Sequence, residues 1–215
     1  MTDASIILDD LEHDAMTELV NIGVSRAAAS LRNMVGEQVM LSVPSLEVVS
    51  RATAAVLIRE RETDNLVVVR QDFSGAFYGQ ALLIFPEANS LELVRAVTGG
   101  VLSADETAGM EDEALAETAN VVLTNCLATL ANMLERPLDI SLPHVMRGEA
   151  ARLFELGPSF GADAVVLFLY INFAINDRNI RGYIAMLLDI PSLELLRGLI
   201  RSFISRVVGE GPVSP

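Results

Sequence analysis

The sequence predicts an α+β fold: one internally duplicated domain with a pseudo-twofold axis, in which two long motif-bearing helices cover a mainly antiparallel central sheet. Three observations carry this expectation. Residues 113–143 laid under residues 14–44, an offset of 99, bring Glu18 onto Glu117, Asn21 onto Asn120, Asn33 onto Asn132, Met34 onto Met133 and Pro44 onto Pro143. Farther on, SLELVR (90–95) returns as SLELLR (192–197) at an offset of 102. Finally, no Pro/Ser-rich linker parts the copies, and each holds too few strands to be stable alone. The 215 residues therefore read as a single domain of two repeats, about 10–100 and 106–207, with a loose tail at 208–215.

Each repeat is expected to open with a long helix, 10–35 in the first and 106–134 in the second. Met16, Val20, Gly23, Ala27, Leu31 and Met34 recur at helical spacing as a stripe for burial. Their counterparts Leu115, Ala119, Val122, Cys126, Leu130 and Met133 are apolar throughout. A short strand follows, LSVP (41–44) or ISLP (140–143), and stops at proline, where an edge ladder gives up a donor cheaply. A less regular stretch is expected next. Two paired strands then form a hairpin in each half, LVVVRQDFSG with FYGQALLIFP and DAVVLFLYINFAI with IRGYIAMLLDIP. A closing helix, 88–98 or 190–207, completes the unit.

Composition narrows the chemistry. The chain is 51% hydrophobic with a mean hydropathy of +0.41, which suits a packed globular protein. Its longest apolar run, Ala164 to Ile171, falls far short of the roughly 20 residues that cross a bilayer, and acids stand where a signal peptide carries basic residues. No membrane association and a cytoplasmic location are the expectation. Fifteen arginines and no lysine face 29 acids, for a net charge of −14. That excludes a Walker lysine and a Schiff-base lysine, and it leaves no basic footprint for nucleic acid. Two distant histidines and one cysteine make no zinc cluster, and neither a nucleophile elbow nor a dinucleotide fingerprint is present. Cys126 lies within the helical pattern and is expected as a small core residue.

On the first helix, Asp14, Glu18 and Asn21 at i, i+4 and i+7 form one polar stripe. A single charged stripe is usually a solvated face. Here the second copy presents Glu113, Glu117 and Asn120 opposite the same apolar face, while neighbouring solvent-facing positions differ, Thr17 against Ala116 and Arg26 against Asn125. Exposed asparagine is a poor helix former, and packing gives no reason to keep it twice. The stripe is read as functional. The apolar stripe behind each pair predicts that both Glu/Asn pairs are exposed on a common surface away from the sheet.

Asp14, Glu18, Asn21 and Pro44, spaced D-x3-E-x2-N-x22-P, resemble the signature D/S-x3-E-x2-N-x22-P of the CheC/CheX/FliY phosphatases of bacterial chemotaxis. The second copy reads Glu113, Glu117, Asn120 and Pro143 at the same spacing, and the stretches NIGVSRAAASL and GQALLIFP look typical of the family. Two motifs in this length resemble CheC most closely, over about residues 10 to 205. Glu113 departs from the family's Asp or Ser, and Gly23, Val24, Ser25 and Arg26 depart from its common G-x-G-N.

The resemblance implies hydrolysis of the aspartyl phosphate on a CheY-type response-regulator receiver. Glu18 with Asn21 and Glu117 with Asn120 are then the catalytic pairs, supported by Asp14, Glu113, Pro44 and Pro143, the prolines shaping each site. Each asparagine would orient water, each glutamate would pair with the receiver's lysine, and magnesium would belong to the receiver, with no cofactor or metal held by this chain. An acyl phosphate asks mainly for in-line positioning, which a carboxamide with one donor end and one acceptor end can supply. Two alternatives stand beside this reading: a non-catalytic adaptor for a phosphorylated receiver, and docking of CheD, the deamidase partner of many CheC-like proteins.

Overall fold

A computed structural model describes residues 8–43, 45–62, 65–98, 104–149, 164–175 and 178–209. Helix α1 (Asp10–Val35) begins where Asp9 caps it. The Asp9 carboxylate accepts from the Glu12 N–H at 2.8 Å and the Glu12 carboxylate from the Asp9 N–H at 3.0 Å, which satisfies two orphan donors. It ends at Gly36, whose φ of 75° lets its N–H turn back to the Arg32 carbonyl. Then follow β1 (Val39–Ser42), β2 (Leu46–Ser50), α2 (Arg51–Arg61), β3 (Leu66–Gly75), β4 (Gly79–Pro86), α3 (Glu87–Val97) and α4 (Ala104–Met133). The second half continues with β5 (Leu138–Ile140), β6 (His144–Gly148), β7 (Val165–Ile175), β8 (Arg178–Leu188) and α5 (Ile190–Gly209).

The eight strands make one antiparallel sheet in the order β1-β7-β8-β4-β3-β5, with β2 also on β7 and β6 also on β3. Exchange of the two halves leaves this order unchanged. The hairpins β3–β4 and β7–β8 meet at the central pair β4–β8, and each half lends its short strands to the long strand of the other. Two copies related by a pseudo-twofold axis would give this arrangement.

Side chains alternate across the strands, so the sheet buries both faces. Val67, Val69 and Phe73 of β3 and Leu167, Leu169, Ile171 and Phe173 of β7 join the core beneath α1, α3, α4 and α5. Leu66, Val68, Val166 and Phe168 point the other way, where Ala54 and Ile58 of α2 cover them. The stretch expected to be irregular therefore contains β2 and α2. Ser50 ends β2 and caps α2, its hydroxyl accepting from the Thr53 N–H at 3.1 Å, so strand and helix share one residue of connection.

Helices α1 and α4 lie antiparallel. Arg26 Nη1 donates to Thr129 Oγ1 at 3.3 Å and Asn125 Nδ2 donates to Ser30 Oγ at 3.4 Å, so the α4 partner number falls as the α1 number rises. At the offset of 99 these two bonds are counterparts, Arg26 matching Asn125 and Ser30 matching Thr129. Gly23 lets the backbones meet, since a Cβ there would stand 2.9 Å from the Cys126 Cα. The predicted stripes are buried from Met16 to Leu31 and from Leu115 to Leu130, whereas Met34 is exposed in the last turn, where the chain leaves at Gly36. Over Met110–Met133, α4 is long and apolar enough to cross a membrane by length and composition alone, yet half of that window is buried inside the protein. The apolar stripe of this helix is the one that meets α1.

Candidate functional site

The first stripe lies on the outer side of α1. Asp14 is exposed, 3.9 Å from His13 Nδ1, while His13 Nε2 donates to the Leu46 carbonyl at 3.0 Å and so ties α1 to β2. Glu18 is exposed and Asn21 half-buried. With Ile22, Ser25, Arg26 and Ala29 they line an open hollow of about 390 Å³. Among the described residues Asn21 has no hydrogen-bond partner, so both ends of its carboxamide are available. Pro44, expected to shape this site, lies outside the described residues.

Sequence reasoning placed Arg26 among drifted solvent-facing positions; it is exposed, and it has a further part that the sequence did not show. Its side chain lines the hollow and reaches across the seam to Thr129, with no carboxylate partner among the described residues. Asn125, its counterpart, is likewise a seam residue, bonded to Ser30 and to the Val121 carbonyl.

The second stripe has different surroundings. Glu113 and Glu117 are exposed and Asn120 is half-buried. The Asn120 Oδ1 accepts from Gln71 Nε2 at 3.1 Å and from Thr124 Oγ1 at 3.2 Å. Gln71 belongs to β3, so this asparagine is tied toward the sheet, and the expectation that both pairs stand away from the sheet fails for Asn120. The tie exists because β5 and β6 are interrupted at 141–143, the segment that ends in Pro143. In that gap the Ser141 N–H donates to the Asp72 carbonyl, the Asp72 N–H donates to Ser141 Oγ, and Gln71 Nε2 donates to the Ser141 carbonyl, all at 2.9 Å.

Register identifies what stands in Gln71's place in the other copy. Phe73 faces Ile140 as Phe173 faces Leu41, and Val69 faces Val145 as Leu169 faces Leu46. Gln71 therefore corresponds to Ile171, which is buried and cannot hydrogen-bond through its side chain. Thr124 corresponds to the exposed Ser25.

The two asparagines do not converge. The seam contacts place α1 residues about 29 to 35 opposite Asn120, so Asn21 lies roughly 12–21 Å away along the helix axis at 1.5 Å per residue. One phosphoryl group cannot be shared between them.

A repeated acid two residues before each stripe went unread. Glu12 is fully buried, with its Oε2 accepting from Arg197 Nε at 3.1 Å and its Oε1 2.5 Å from Arg201 Nε, a contact of charge without hydrogen-bond alignment. Its counterpart Glu111 is half-buried, accepts from Ser90 Oγ at 3.1 Å and lies 3.3 Å from Arg147 Nη2. Both acids hold the start of a motif helix against an element of the other half. Among the described residues, no three His, Cys, Asp or Glu side chains gather as metal ligands would. Cys126 is buried at the helix seam, and burial pushes its thiol up to about 12.

No family model matches the chain. It is 24% identical over 140 residues to the flagellar motor switch phosphatase FliY of Bacillus subtilis, spanning 64% of this chain and 36% of that one, and so about a third of that relative's length. It is 20% identical over 201 residues to the putative CheY-P phosphatase CheC1 of Halobacterium salinarum, spanning 92% of this chain and 99% of the relative. Thermotoga maritima FliY has the same fold, with a TM-score of 0.72 at 16% identity over 92% of this chain and 99% of that one. The FliM middle domain of Vibrio alginolyticus shares the fold too, with a TM-score of 0.62 at 13% identity over 86% of this chain and 99% of that one.

Proposed function

From the premise that the chain is a CheC/CheX/FliY-like protein, we propose that it hydrolyses the aspartyl phosphate of a CheY-type response-regulator receiver in the cytoplasm, with two motif copies that arose by duplication. One observation carries the reading. Asn21 stands beside Glu18 on an open hollow, and among the described residues neither end of its carboxamide is bonded. Its Oδ1 accepts from the attacking water and its Nδ2 steadies that water or a phosphoryl oxygen, so the nucleophile is held in line without a group that must ionise. Water attacks phosphorus, the acyl P–O bond breaks, and the receiver's aspartate leaves as carboxylate with inorganic phosphate. Glu18 pairs with the receiver's lysine and fixes the docking angle. Arg26 adds a positive charge to the same hollow, suited to the acidic phosphoryl end of the receiver. Magnesium stays with the receiver. The distance between Asn21 and Asn120 supports one receiver per copy.

The test is the lifetime of a phosphorylated receiver with and without substoichiometric protein. The proposal expects a lifetime that shortens in proportion to protein added, with multiple turnovers. The adaptor reading, binding of a phosphorylated receiver or of CheD without hydrolysis, expects an unchanged lifetime.

A further inference from the structure

We propose that Gln71 is a positioning residue that latches the second copy's asparagine, leaving Asn120 able to donate a hydrogen bond but unable to accept one from the attacking water. The inference rests on the phosphatase reading above and adds a regulation of one of its two sites.

A carboxamide oxygen has two lone pairs, and at Asn120 both are engaged, by Gln71 Nε2 and by Thr124 Oγ1. A water at this site finds only Nδ2. Such a donor holds a phosphoryl oxygen or the water's lone pair but leaves the water's protons undirected.

Gln71 cannot swing aside easily. It is 1% exposed, and the second hydrogen of its amide is committed to the Ser141 carbonyl. Its own Oε1 is buried with no partner among the described residues, an unrepaid desolvation that packing alone would not select. An apolar side chain serves at the matching position, Ile171, so the fold does not need an amide there. Glu113 and Glu117 remain exposed, so the groups that would dock a receiver are untouched. The second copy is therefore a docking site held below its catalytic capacity by a bond from the sheet.

The experiment uses the full chain carrying Asn21→Ala, which isolates the second copy. Into it are placed Gln71→Leu, Thr124→Val, and both. Receiver dephosphorylation is measured as kcat and KM. Release of Oδ1 is expected to raise kcat about five- to tenfold in the double replacement, with KM unchanged because Glu117 still docks. A kcat that stays level or falls in variants that keep native circular dichroism overturns the proposal. Thr124→Val replaces a half-buried side chain by one of the same shape and serves should Gln71→Leu fail to fold. Nuclear magnetic resonance of the Asn120 side-chain amide gives a readout free of activity. Its NH₂ group is expected to be rigid in the natural sequence and mobile after Gln71→Leu. Should the natural protein leave receiver lifetimes unchanged, the phosphatase reading fails, and the latch is then judged by that resonance. A mobile Asn120 amide in the natural sequence overturns it.

Discussion

Asn21 and Asn120 occupy the same turn of corresponding helices, each three residues after a glutamate and each half-buried. Around Asn21 stand Ser25, Arg26 and an open hollow, and among the described residues none bonds the carboxamide. Around Asn120 stand Thr124 and Gln71, both bonded to its oxygen. The acids that anchor the two helices differ in the same sense. Glu12 is sealed between two arginines of α5, and Glu111 is partly wet and shared between a serine and Arg147. The two halves thus share a strand order that is unchanged on exchange, while the side chains one layer behind the motif differ. Identity of motif residues is a weaker guide to activity than the hydrogen bonds those residues already spend.

The largest expected effect comes from removing both asparagines. Asn21→Ala with Asn120→Ala should return the receiver to its unassisted lifetime. Asn21→Ala alone should cost about tenfold to a hundredfold in kcat with receiver affinity nearly intact, because water positioning matters in the transition state. Asn120→Ala should stay within about twofold of the natural protein. Equal losses from the two single replacements, read by phosphoryl-receiver decay, would erase the functional difference between the copies.

Stability should show the anchoring difference. Arg197→Ala leaves the buried Glu12 carboxylate with the poorly aligned Arg201 as its charge partner beside the Asp9 N–H, and should cost about 2–3 kcal/mol in urea unfolding. Arg147→Ala, which leaves Glu111 its bond from Ser90 Oγ, should cost no more than about 1 kcal/mol. Similar losses from both would mean that the two anchors are alike.

Glycines sharpen the contrast on a smaller scale. Gly23→Ala drives a Cβ to 2.9 Å from the Cys126 Cα and should cost about 1–3 kcal/mol as the helices part. Gly198→Ala on α5 meets nothing within 4 Å and should add roughly 0.5–1 kcal/mol through helix propensity. The smallest effect concerns Cys126, whose counterpart is Ala27. Its folded thiol titrates near 12, above the ordinary value of 9.0 expected once unfolded. Its contribution to stability is therefore fully present below about pH 9 and is lost as pH rises toward 12. Thiol reagents at pH 8 should label it only on unfolding; rapid labelling of the native protein would show that the seam opens.

Much of this was legible in the chain. The repeat, the two motif helices, the hairpins and the closing helices follow from periodicity and offset, because each is a local pattern many residues long. Residues 46–61 were misjudged because β2 has five residues and α2 starts without a break. The usable signals were Ser50 as a cap and Ala54 with Ile58 at i, i+4. Gln71 was visible as an anomaly, a polar residue on the face shared by Val67, Val69 and Phe73. Its partners were not visible, since Asn120 and Ser141 lie 49 and 70 residues onward. Likewise Glu12 meets Arg197 across 185 residues, a distance over which spacing carries no geometric information.

The palindromic strand order has a consequence during synthesis. Val39 of β1 pairs with Ile175 of β7, so 175 − 39 = 136 residues must leave the ribosome before that ladder can close. At roughly 5–20 residues per second the wait is about 7–27 s. Throughout it β1 and β2 present unpaired amide and carbonyl groups, and the helix-facing side of the β3–β4 hairpin lacks α4. The nascent first half is therefore an open template for any other growing chain of the same sequence. Fast translation of the second half, or a chaperone that shields the first, should govern the yield of native protein more than its final stability does.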